Sequence, residues 1–115
     1  MTREERIEKK ILSNVKRVQK RGVKTRRGDF GDIKIRNLRW VADGSVCPLA
    51  SCILFRKAKS RSFTGDIQEF LGISYEEFNY IWDGFDSMVK VKFGSDFQKL
   101  GYRIYKAIKE DIVYE

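Results

Sequence analysis

At 115 residues, with 42% hydrophobic and 13% aromatic content, the chain has the length and apolar share of one folded unit with a single core, which excludes a disordered or low-complexity protein. It contains no histidine and only two cysteines, which excludes imidazole acid–base catalysis, the common nucleophile triads and most zinc or iron sites. The net charge of +8 is confined to the first quarter: residues 1–28 hold eleven Lys or Arg against three acids, whereas residues 29–115 hold thirteen of each sign.

No apolar run reaches the roughly 18 residues of a membrane span, and the N-terminus lacks the apolar core of a signal peptide. The expectation is a soluble protein that stays in the cytoplasm, with no membrane partner. The expected organisation is a basic amphipathic helix and arm over residues 1–28, followed by a compact helical domain over residues 29–115.

Thr2-Arg3-Glu4-Glu5 has the pattern of a capping box and opens the first helix. Ile7, Ile11, Val15 and Val18 then fall within an arc of about 80° at the helical period, an apolar stripe that has to rest on a core or a partner. Gly22 is the expected stop. The segment from Val23 to Asp29 is polar and punctuated by glycine and reads as a mobile connection. Ile33, Ile35, Leu38, Trp40 and Ala42 suggest extended structure, and Asp43-Gly44 is the expected turn of a small hairpin returning through Ser45 and Val46.

Cys47-Pro48 has the form of a helix start, with proline at the first position, and a helix is expected to run to Phe55. A loop from Ser60 to Gly65 precedes a short helix over Asp66 to Leu71, which Gly72 stops. Ser74-Tyr75-Glu76-Glu77 is a second capping box, and Gly84 breaks the pattern of the helix that follows. Val89, Val91 and Phe93 form a brief alternating piece. Ser95-Asp96-Phe97-Gln98 is a third capping box, leading into a closing helix whose apolar face is Phe97, Leu100, Ile104 and Ile108. Cys47 and Cys52 project about 140° apart around a helix, too divergent for an easy disulfide, and read as buried free thiols.

The expected fold is therefore mainly α: a compact bundle of four to five helices with a small β-hairpin and a basic N-terminal helix. The expected core is Trp40, Leu49, Phe55, Phe70, Leu71, Phe78, Ile81, Phe85, Phe97, Leu100, Ile104 and Ile108.

No phosphate-cradling glycine motif is present. Asp83 and Asp86 are neighbours on a helix, but no third ligand accompanies them, so no metal site, catalytic residue or cofactor is assigned and a non-enzymatic role is favoured. Ile67 to Ile81 resembles a helix-turn-helix. Its second helix, however, presents Glu76, Glu77 and Asp83, which oppose the electrostatic attraction that dominates DNA affinity.

The basic arm is the better candidate for nucleic acid, through phosphate contacts by Arg17, Lys20, Arg21, Lys24, Arg26 and Arg27. The alternative is a small protein-binding module that inhibits a nucleic-acid-handling protein, with Tyr75, Glu76, Tyr80 and Trp82 at its interface.

In order, Asp43-Gly44, Cys47-Pro48-Leu49, Leu71-Gly72-Ile73-Ser74 and Asp83-Gly84 make residues 40–86 similar to small uncharacterised proteins of phages and bacteria. The resemblance implies a compact helical fold and an accessory role in a phage or its bacterial host. It brings no activity or site residues with it.

Overall fold

A computed structural model describes residues 1–86 and 95–113. The first helix, α1 (Arg3–Gln19), starts at Thr2, whose hydroxyl accepts from Glu5 N. It closes where Gly22 takes a φ of +86° and Val23 N donates to Val18 O. Its stripe of Ile7, Ile11, Val15 and Val18 is buried in the same core as the later helices. The stripe therefore rests on its own chain.

The segment after α1 is pinned, contrary to the mobile connection read from its composition. Strand β1 (Thr25–Arg26) pairs in parallel with β4 (Ile112–Val113) at the other end of the chain. On its other side Val46 N donates to Lys24 O and Arg26 N to Val46 O. Thr25 is completely buried. Long-range backbone pairing overrides the local glycine signal here.

The hairpin exists, but its turn is not at Asp43-Gly44. Strands β2 (Asp32–Arg36) and β3 (Arg39–Asp43) are antiparallel, with Ile35 opposite Trp40 and Arg36 opposite Arg39, so Asn37 and Leu38 form the two-residue turn. Both have positive φ, +52° and +65°, as turns that match the strand twist require. Gly44 ends β3.

Helix α2 (Pro48–Ser51) is a single turn, shorter than the helix expected to reach Phe55. The backbone tightens through Cys52 N to Leu49 O and Ile53 N to Ala50 O. Phe55, at a φ of +68°, then gives its N–H to Trp40 O of β3 instead of continuing the helix. The whole stretch from Val46 to Leu54 is buried, so this segment is the centre of the core.

Helix α3 (Phe63–Leu71) begins earlier than Asp66 because the Ser62 hydroxyl accepts from Gly65 N. Gly72 stops it in the left-handed conformation. Helix α4 (Tyr75–Asp86) starts with Ser74 and Glu77 exchanging hydrogen bonds in the expected capping box. Helix α5 (Asp96–Ile108) starts with the third box, complete at Ser95 and Gln98. A 3-10 turn (Lys109–Asp111) leads into β4. The alternating piece at Val89, Val91 and Phe93 lies outside the described residues.

Gly84 is a contact point and not a break. A Cβ there would collide with Gln98 O, and one on Gly101 with Ile81 O, so α4 and α5 cross backbone against backbone. Their pair is the main packing interface of the fold.

Of the expected core, Trp40, Leu49, Leu71, Phe78, Ile81, Phe85, Leu100, Ile104 and Ile108 are buried, while Phe55, Phe70 and Phe97 are only partly so. Each of those three rings is roofed by a cation: Arg21 over Phe55 at 3.9 Å, Lys10 and Arg56 over Phe70 at 4.7 and 4.8 Å, and Arg3 over Phe97 at 5.5 Å. Arg3 and Lys10 of α1, Arg21 just beyond it and Arg56 thus close the edge of the core while their charge stays near water.

Candidate nucleic-acid interface

The six arm cations go to three different places. Arg17 turns inward: its Nε donates to Asn14 Oδ1 at 2.9 Å, and its Nη2 to Ser51 O and Leu54 O, each at 2.9 Å. Asn14 Oδ1 also accepts from Arg56 Nη2, and Arg56 Nε donates to Cys52 O. Two arginines thereby satisfy the carbonyl end of the buried 47–55 segment. Partial burial, then the neighbouring Arg56 charge, lowers the Arg17 pKa, but a guanidinium remains charged at neutral pH. Arg17→Ala should cost about 2 kcal/mol of stability, since it leaves buried carbonyls unpaired. A denaturation midpoint equal to that of the parent would refute this structural role.

Arg26 and Arg27 lie on a different side. Arg26 Nε is 3.0 Å from Asp29 Oδ1. Arg27 Nε donates to Phe85 O at the end of α4, and its guanidinium lies 3.8 Å from the Tyr105 ring of α5. Gly28 N donates to Asp86 Oδ1 and Gln98 Nε2 to Asp83 Oδ2, so the Asp83–Asp86 pair is divided between two tethering contacts. Among the described residues no group of three potential metal ligands occurs.

Lys20, Arg21 and Lys24 remain exposed. Lys24 stands at the rim of an open cleft of about 360 Å³ between the end of α1 and the Gly44 end of the hairpin. Arg21 shares Phe55 with a residue the sequence reading missed: Arg39 Nη1 donates to Phe55 O at 3.1 Å. Arg36 faces Arg39 across the hairpin, and Lys57 bridges to Arg39 on the other edge. Arg21, Arg36, Arg39 and Lys57, all exposed, thus gather around one ring and one strand, with Lys20 next to Arg21 in the chain. Placing the turn at Asn37-Leu38 is the step that would have found it, because only that register sets Arg36 opposite Arg39.

The alternative face is arranged differently. Tyr75 is 63% exposed, and the Tyr80 hydroxyl donates to Glu76, which raises the Tyr80 pKa. Trp82 is half-buried and stacks on Phe30 with centroids 4.0 Å apart. Phe30, which carried no periodic signal, also meets Phe63 and Phe78. Glu77 is held at about 2 by the Arg3 guanidinium, which bonds both its oxygens and also reaches Gly72 O. A short turn at 72–74 joins α3 to α4, but α4 packs chiefly on α5 and keeps Glu76 and Asp83 exposed.

Both cysteines are buried and free. Cys47 Sγ caps α2 by accepting from Ala50 N, and burial pushes its pKa up to about 12. Burial also raises that of Cys52. Neither thiol should react with an aromatic disulfide reagent until the protein unfolds; rapid labelling of the native chain would contradict their placement.

No helix among the described residues is long and apolar enough to cross a membrane. No family model matches the chain, and neither a curated protein nor a solved structure does.

Proposed function

We propose that the protein holds nucleic acid by its phosphates, without reading bases, through Lys20, Arg21 and Lys24 together with Arg36 and Arg39. The observation that carries this reading is the convergence of Arg21 and Arg39 on Phe55: one cation from the turn after α1 and one from the hairpin are fixed by a ring and a carbonyl yet remain exposed. Fixed guanidiniums lose less side-chain freedom on meeting a phosphate than free ones. Arg17 is set aside because its donors face the core. The phage or bacterial accessory origin suggested by residues 40–86 belongs to the same proposal.

The test replaces Lys20, Arg21 and Lys24 together by glutamine and compares binding to mixed-sequence duplex across a salt series. Each phosphate contact contributes about 0.9 to the slope of log K against log salt, so the variant should lose roughly 2 to 3 from it. An unchanged slope would remove these residues from the interface.

A second reading, an α4 face that docks a protein, is favoured by the exposed Tyr75 ring beside Glu76. If it governs function, Tyr75→Ala should abolish partner binding while the triple variant retains it.

A further inference from the structure

We infer that the tip of the β2–β3 hairpin is a wedge for duplex DNA: Leu38 enters between base pairs from the minor groove, and Arg36 and Arg39 hold the flanking phosphates. The inference rests on the nucleic-acid reading above and adds a base-stack contact to it.

The first observation is conformational. A two-residue turn with both φ values positive favours Asn-Gly. Asn37 suits the first position, but Leu38 occupies the second at a φ of +65°, a strained placement that glycine would relieve. Burial offers no compensation, because Leu38 is 71% exposed. A strained apolar residue held in water at a turn tip is the kind of outlier from which a functional hypothesis starts.

The second observation is mechanical. Leu38 O accepts from Ala58 N at 2.8 Å, Arg39 Nη1 donates to Phe55 O, and Trp40 N donates to Arg56 O. The inner strand of the hairpin is therefore clamped to the 55–58 segment up to the tip. The backbone of Leu38 is fixed while its side chain is free to enter something.

The third is the company it keeps. Ile35, one pair from the tip, is 40% exposed, and the turn is flanked by the Arg36–Arg39 pair, with Lys57 beside Arg39 on the next edge. An apolar protein groove would leave three cations unmatched, and an acidic peptide would leave the leucine unmatched. Duplex DNA satisfies both, with phosphates at the groove edges and stacked bases inside. Leucine is among the side chains that unstack a base step in this way and bend the duplex.

The experiment uses the intact protein and a short A·T-rich duplex carrying 2-aminopurine beside a T-A step and a dye pair at its ends. The wild type should raise 2-aminopurine fluorescence on binding and bring the dyes together. Leu38→Gly keeps both arginines and suits the backbone, so it should melt no lower than the parent and bind within about twofold of it, since the phosphate contacts dominate affinity. Both spectroscopic signals should disappear with it. Equal signals from Leu38→Gly would overturn the wedge. Wild-type binding without either signal, or tighter binding to the separated strands, would overturn the wedge and leave the phosphate contacts standing. No wild-type binding at low salt would remove both.

Discussion

Replacing either Gly84 or Gly101 by alanine should destabilise the protein by about 3 kcal/mol, near the upper end of what overpacking costs, and lower Tm by roughly 10 °C. The sign is the informative part. In an exposed helix the same exchange gains about 1 kcal/mol, because alanine is the better helix former. Here the added methyl at Gly84 would run into Gln98 O and lie 2.7 Å from Gln98 C, and at Gly101 it would run into Ile81 O and lie 2.8 Å from Phe85 N. These are backbone atoms, so the helices have to separate. Separation would also disturb the Arg27 contacts with Phe85 O and Tyr105, which fasten the segment after α1. Thermal melts of the two variants at or above the parent Tm would contradict the close crossing.

Asp66→Asn should cost about 3 kcal/mol at neutral pH and flatten the loss of stability in acid. The Asp66 side chain is buried yet well supplied with donors: Trp40 Nε1 and Ser60 Oγ at 2.7 Å, Lys59 N at 2.9 Å and Ser60 N at 3.4 Å. Burial pushes its carboxyl up, but the bonds from Ser60, Trp40 and Lys59 outweigh it and hold the pKa below the ordinary aspartate value. A carboxylate with a lowered folded pKa adds stability that is present above the unfolded value and is lost as pH falls through the folded one. Glu77 acts in the same direction, from an ordinary 4.5 down to about 2. Denaturant titrations below pH 4 should therefore show the parent losing stability faster than Asp66→Asn. Parallel curves would mean that Asp66 does not carry this charge in the fold.

The parts legible in the sequence were those decided within a few residues. Thr2, Ser74 and Ser95 all cap helices as their spacing predicts, and the stripe of α1 is buried as its period requires. The parts that were not legible depend on partners far along the chain. Val23 to Asp29 reads as a connection until β4 and Val46 supply its backbone partners. Asp43-Gly44 outranks Asn37-Leu38 as a turn by local propensity, because leucine is an unfavourable choice at positive φ. Phe30 sits among glycine and aspartate with no period, and only the fold shows it stacked on Trp82. The site suffered most from the same cause. Proximity in sequence grouped Arg17 with Lys20 and Arg21, whereas the fold turns Arg17 inward and brings in Arg36 and Arg39 from the hairpin. It also rules out deleting the arm as a clean test, since Ile7, Ile11, Val15 and Val18 would leave the core with it.

The measurement that tests the account most directly is the affinity of the intact wild-type protein for mixed-sequence duplex as salt is raised. With Lys20, Arg21, Lys24, Arg36 and Arg39 each meeting one phosphate, log K should fall against log salt with a slope of about −4.5, and scrambling the sequence should leave both affinity and slope unchanged. A slope near zero, or no binding at low salt, would contradict phosphate holding by these five cations.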